Sequence, residues 1–383
     1  MSTSTTSLPL HRPQSIGVAA MPHALLLHGA SPEQPLPDAV TAYNRFVHEP
    51  TEASRRAIDA HGDARLSHLA DVAAFVLGVA DTVPVPDASL LDDELLAHAL
   101  IVQAALYIEQ GRAHDAHDAL IRAAAAARTA SPELASQALL QVAMLRREQP
   151  DVTAAQVIAE LDTALAVLGD RPAAPLRGDI WLQRALVLHD ASNGRGPDSA
   201  RGLLLEAVKS YQQALRIGLD PETDAESFAL AHSNLALAYL SMPAADAGDT
   251  LRLAVAVQSL RAALSVYQRE THPDQWARVQ MHLANALVYL PSGHRQDNIA
   301  QAVDLYEELL TVRSRALDPL GHARVLANQA NALAHLGVFN DATEKLHEAH
   351  KLAQWHEDAD LAAEAMALLD RITERRAELA RAE

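Results

Sequence analysis

The sequence predicts an all-α protein assembled from antiparallel helix pairs. Three observations carry that prediction: an alanine- and leucine-rich composition, Gly and Pro punctuation that cuts the chain into helix-length segments, and a recurring small–large–small pattern. Of 383 residues, 49% are hydrophobic, yet only 4% are aromatic and only 15 are glycine. Ala and Leu therefore supply most of the apolar side chains. Both are strong helix formers, and a core built from them suits closely packed helices better than sheets, which favour β-branched and aromatic residues. The length is enough for two ordinary domains or one extended repeat array, so core size is not limiting.

Residues 1–36 read as a flexible lead rich in Ser, Thr and Pro, with the entry to the folded part marked by Pro32, Pro35 and Pro37. The apolar run Ala24 to Leu27 is too short for a signal-peptide core, and no stretch approaches the roughly 18 to 20 apolar residues of a membrane-spanning helix. A soluble, cytoplasmic protein that does not engage membranes is the expectation. Residues 37–82 form an N-terminal helical cap of three short helices, broken at Glu49-Pro50 and His61-Gly62. The run Val83-Pro84-Val85-Pro86-Asp87 then interrupts the pattern and marks the clearest internal boundary, because Pro removes a backbone donor and disfavours helix in the residue before it. A repeat array is expected over 87–372, and residues 373–383, with charges alternating from Glu374 to Glu383, read as the solvated end of the last helix.

Self-similarity organises the array. One unit places Ala104, Tyr107, Gly111, Ala116, Leu120 and Ala123 at offsets 0, 3, 7, 12, 16 and 19, and the last unit repeats those offsets with Ala330, Leu333, Gly337, Ala342, Leu346 and Ala349. Small residues at offsets 0 and 12 let the two helices of a pair approach closely. Gly ends the first helix, and the large residues fill the space between them.

This pattern resembles the tetratricopeptide repeat family, whose resemblance implies a right-handed α–α superhelix of helix pairs. Between the two best units lie longer ones of about 46 to 50 residues, against roughly 34 in the standard repeat. Their first helices align as Ser233 to Leu240, Leu283 to Leu290 and Gln329 to Leu336, and the middle one follows His272-Pro273-Asp274-Gln275-Trp276-Ala277. That combination resembles the longer tetratricopeptide variants beside bacterial CHAT domains, although no CHAT protease or other effector domain is visible. The extra residues at 191–198, 241–250 and 291–298 are expected in the turns between paired helices, along one rim of the array.

Charge and chemistry exclude several functions. The net charge of −18, from 49 acidic and 31 basic residues, repels phosphate backbones and argues against nucleic acid as a partner. The absence of cysteine removes disulfides, thiolate metal sites and cysteine nucleophiles. No dinucleotide, phosphate-loop, Gly-x-Ser-x-Gly or His-Glu-x-x-His signature occurs, so the protein is expected to be non-catalytic and to need no cofactor. His114 with His117, and His347 with His350, have a spacing that places two imidazoles on one helical face, but no third ligand is evident. Arg195 between Gly194 and Gly196 reads as part of a turn rather than an anion loop. Trp181, Trp276 and Trp355 read as packing residues rather than a stacking platform, and the Ala123 to Ala127 run as a tightly packed helix.

The resemblance implies that the first helix of each pair lines a concave face, with positions 2, 5, 6, 9, 12 and 13 pointing at a ligand. From Ala277 these include Arg278, Met281, His282, Asn285 and Tyr289; from Ala323 they include Arg324, Asn328, Asn331 and His335. Arg can hold a carboxylate through two parallel hydrogen bonds, and Asn can pair with both groups of an extended peptide backbone. The expected function is thus a scaffold holding a protein or peptide that is basic or presents a carboxylate, with self-association left open. Earlier units depart from the pattern, having Gly178 and Phe228 at position 2 and Ala185 and Leu235 at position 9. Against this reading, Asn234, Asn285 and Asn331 can simply satisfy one another's helices as buried amides do. A regulatory sensor of a small ligand or short peptide, and a helical enzyme or accessory protein with an unrecognised His/carboxylate site, remain alternatives.

Overall fold

The computed structural model describes residues 16–17, 24–25, 38–80, 84–91, 93–242 and 249–382. The lead expected over 1–36 lies almost wholly outside the described residues. Within it only a two-residue antiparallel pairing is placed, β1 (Ile16–Gly17) with β2 (Ala24–Leu25), setting Ile16 opposite Leu25. Among the described residues every other regular element is a helix.

The chain forms two compact units, one of residues 1–191 with 216–218, the other of 192–215 with 219–383. The first holds α1 (Asp38–His48), α2 (Glu52–Asp59), α3 (Ala64–Val76), α4 (Asp93–Glu109), α5 (Ala113–Ala127), α6 (Pro132–Arg147), α7 (Ala154–Leu168) and α8 (Ala174–Ser192). The two breaks foreseen at Glu49-Pro50 and His61-Gly62 separate α1, α2 and α3. Thr51 and Ser54 close a capping box at the start of α2, and Asp63 accepts from the Arg65 and Leu66 amides at the start of α3. These contacts satisfy donors that a helix N-terminus otherwise leaves open. Residues 84–87 of the proline run are non-helical.

The second unit contains α9 (Pro197–Ile217), α10 (Ala225–Ser241), α11 (Asp249–Leu264), α12 (Pro273–Tyr289), α13 (Arg295–Val312), α14 (Pro319–His335), α15 (Phe339–Trp355) and α16 (Ala359–Ala382). α10 pairs with α11, α12 with α13, and α14 with α15, while α16 closes the stack against α15. The first helices also touch each other across the pairs: α10 meets α12, α12 meets α14, and α14 meets α16. Of the long turns expected at 191–198 and 291–298, only 193–196 and 291–294 are non-helical, leading from α8 to α9 and from α12 to α13, while 191–192, 197–198 and 295–298 belong to those helices. Of the turn expected at 241–250, residues 243–248 lie outside the described residues.

The repeat offsets acquire their physical meaning in the packing. Ala104, Ala116, Leu120 and Ala123 are fully buried in one core, and Ala330, Ala342, Leu346 and Ala349 in another. Gly111 and Gly337 both stand at positive φ, +72° and +80°, where a side chain is strained and Gly is free. Around Gly337 the Val338 amide reaches back to the Leu333 carbonyl at 2.9 Å, and around Gly111 the Arg112 amide reaches the Tyr107 carbonyl at 2.8 Å. Each is the six-to-one bond that ends a helix and turns the chain sharply into its partner.

Trp276 is buried and Trp181 half-buried, in keeping with packing roles, but Trp355 is 84% exposed and corrects the expectation made for it. It is the last residue of α15, and the turn to α16 begins immediately after it, so no following helix turn covers its ring.

Candidate functional site

α12 and α14 carry all nine residues that the repeat register singles out, from Arg278 to Tyr289 and from Arg324 to His335. Both helices begin with proline at the first turn, Pro273 and Pro319, a residue whose missing amide costs nothing there. Asp318 caps α14 by accepting from the Gly321 amide at 2.9 Å. α12 and α14 touch directly, and Tyr289 with His335, Asn331 with Tyr289 and Asn328 with Met281 meet along this line.

Near the C-terminal ends of the two helices this line is aromatic and polar. Asn331 donates its amide to the Tyr289 hydroxyl at 2.9 Å. The Tyr289 and His335 rings meet edge to face with centroids 5.8 Å apart, the arrangement in which a ring edge meets a ring face. Tyr289 nevertheless stays 59% exposed. An aromatic fixed on two sides and open on a third loses little conformational freedom when something packs on it. His335 is held below the usual histidine pKa by partial desolvation and, less, by the charge of Arg295.

In the middle of the row, Asn285 accepts at Oδ1 from the buried Tyr306 hydroxyl of α13 at 2.5 Å. Burial pushes the Tyr306 phenol well above its ordinary range, with the neighbouring Tyr289 adding to the effect. Asn328 donates toward the Met281 sulfur at 3.4 Å, joining α14 to α12. His282 is half-buried, and its pKa is lowered first by desolvation and then by the positive charge of Arg278. It stays neutral at physiological pH.

The two arginines share a register but not a state. Arg324 donates through Nη2 to Asp358 Oδ2 at 3.0 Å, while Asp358 Oδ1 caps α16 by accepting from the Leu361 amide at 3.0 Å. One pair earlier, the corresponding capping carboxylate is Asp318, and it is taken by Arg313 at 2.7 Å. Arg278 is exposed and makes no ion pair among the described residues. A cavity of about 290 Å³ opens where Arg324 and Asn328 of α14 face Asp358, just ahead of α16, and Asp360 and Glu364 of α16. One guanidinium against three carboxylates gives it a negative field.

The row extends beyond the residues picked out from sequence. On α10, Tyr239 aligns with Tyr289 and His335, and its hydroxyl accepts from the Gln212 amide at 3.1 Å. His232, aligned with His282, packs edge to face on Phe228 at 4.5 Å and is likewise held neutral by burial. The alignment of first helices was the signal that could have found both. Asp358, Asp360 and Glu364 were missed, although Asp358 just ahead of a helical run is a recognisable N-cap. Of the histidine pairs, His114 and His117 both face Asp118, and His350 donates through Nδ1 to the Ala362 carbonyl at 3.0 Å.

No family model and no curated protein matches the chain. Among solved structures, it is similar to a putative kinesin light chain from Podosopora anserina with nearly identical TPR-like repeats, at 19% identity, covering 58% of this chain and 96% of that one with a TM-score of 0.42. It is also similar to a tetratricopeptide repeat protein from Parabacteroides merdae, at 13% identity over 72% of this chain and 93% of that one, TM-score 0.42. A Rap protein complexed with competence and sporulation factor is 15% identical over 89% of this chain and 96% of that one, TM-score 0.37. At such identities the likeness concerns the helical fold alone.

Proposed function

We propose that the second unit is a non-catalytic scaffold that holds a protein or peptide along the row formed by α12 and α14. The observation that carries this reading is Tyr289, an exposed aromatic clamped by Asn331 and His335 at the line where two first helices meet. Hot spots of binding surfaces are rich in such rigid aromatic anchors. Contact among α10, α12, α14 and α16 on one side of the stack supports a continuous inner face for an extended partner.

The electrostatics favour a partner with basic side chains. Arg324 is committed to Asp358, and the cavity beside it has an excess of carboxylate. The whole chain carries a net charge of −18, which speeds encounter with basic partners and slows it with acidic ones. Arg278 alone offers an uncommitted guanidinium to a partner carboxylate, the part that was expected of both arginines.

The test is quantitative capture from the native host. Arg278→Glu and Tyr289→Ala, each with unchanged helicity, should deplete the same co-purifying protein, whereas Glu344→Arg on α15 should leave it in place. Equal recovery with all three variants would remove the row from the account.

A further inference from the structure

A second surface on the same unit has the opposite chemistry. Trp355 ends α15 with its indole 84% exposed, and Leu317, in the turn between α13 and α14, is 87% exposed. Arg315 of that turn lines a cavity of about 340 Å³ together with Lys351, Leu352, Trp355 and His356. Arg315 also donates to Glu348 of α15 at 3.4 Å, which ties the turn to the helix bearing the tryptophan. In a chain with 49 acidic residues against 31 basic ones, this cavity is lined by the basic side chains of Arg315, Lys351 and His356 and by no carboxylate. The exposed indole leaves apolar surface in water beside basic side chains, and exposed apolar surface rimmed by polar groups marks contact sites.

We propose that this cavity docks an acidic segment of a partner protein, with an apolar side chain lying on Trp355 and the adjoining carboxylate held by Lys351, while Arg315, which also meets Glu348, adds positive charge at the rim. The occupant follows from charge complementarity and size. An ammonium and a guanidinium that line one cavity with an indole match a carboxylate next to an aliphatic or aromatic group. A free phosphate has no apolar part to use the ring. An anionic membrane would meet the repulsive field of the whole chain rather than a broad basic face. The volume accommodates one or two side chains rather than a folded surface. The site is independent of the α12–α14 row, because every residue of it lies at the end of α15 or in the turn before α14.

The full chain provides its own reporter, since Trp355 is exposed while Trp276 is buried and Trp181 half-buried. The probe is a short capped peptide alternating glutamate and leucine, compared with the same peptide carrying glutamine for glutamate. A saturable blue shift of tryptophan emission is expected with the acidic peptide and is lost in Trp355→Phe. Anisotropy of the labelled peptide should show Trp355→Ala and Lys351→Glu each weakening binding about tenfold or more, as loss of one charged or aromatic anchor implies. Both substitutions are at exposed positions, and thermal unfolding by circular dichroism confirms that the fold is kept. No saturable shift up to millimolar peptide, or equal binding of the glutamine peptide, would overturn the proposal. So would concentration-dependent dimerisation that Trp355→Ala abolishes, since the surface would then belong to a second copy.

Discussion

Ala342 offers a test in which the sign of the effect is the diagnosis. It is fully buried on α15, in the core that also holds Ala330 of α14 and Leu346 of α15. Leucine at this position adds three carbons. If there were space, burying them would stabilise the fold by roughly 2.4 kcal/mol at about 0.8 kcal/mol per methylene. The account holds that alanine is there because the helices cross at close range, in which case the added carbons force displaced rotamers and backbone shifts. Overpacking of a dense core costs about 1–3 kcal/mol net. Leu346→Ala is the mirror experiment and should cost roughly 3–5 kcal/mol through the cavity it leaves. Urea unfolding followed by circular dichroism measures both, and hydrogen exchange of α14 and α15 amides localises the loss, since stacked repeats open regionally. Ala342→Leu that is neutral or stabilising would show that the crossing is loose, and the small-residue rule would fail.

Tyr306→Phe removes the donor to Asn285 Oδ1 and should destabilise the unit by about 1 kcal/mol. The raised Tyr306 pKa favours the neutral phenol in the folded state, so its contribution is complete below the unfolded value near 10 and is lost as pH rises toward the folded value. Tyr306→Phe should therefore flatten the alkaline limb of the stability curve. For His282 the sign is opposite: its lowered pKa gives stability that is present above the unfolded value of about 6.5 and is lost as pH falls through the folded value. Arg278→Ala should raise the His282 pKa in an NMR titration of its ring protons, and an unchanged value would deny the electrostatic link. Asp358→Ala removes both the α16 cap and the Arg324 partner, and should cost about 1 kcal/mol, seen as faster exchange in the first turn of α16, while Asp358→Asn should be milder.

The helix pairs were legible because their signals are local. Gly111 and Gly337 end helices through their own backbone conformation, and Ala at offsets 0 and 12 is small whatever lies opposite. The site was legible only as a register. Sequence placed Arg278 and Arg324 at the same position, but the difference between them depends on Asp358, 34 residues beyond Arg324, and on Arg313 occupying Asp318. Asn285 and Asn331 likewise read as peptide ligands until Tyr306 and Tyr289 are seen holding them. Trp355 was misread for a related reason. Its helical position is fixed by the sequence nearby, whereas its exposure depends on where the next helix starts, and α16 begins at Ala359 and leaves the ring open.

The measurement that bears most directly on the central claim is site-specific photocrosslinking in the native host. A benzophenone side chain in place of Tyr289 on α12 is compared with one in place of the exposed Glu344 on α15. The account predicts one discrete protein adduct at 289 that disappears when Arg278→Glu is added, and none at 344. Adducts of equal yield at both positions, or at 344 alone, would contradict it.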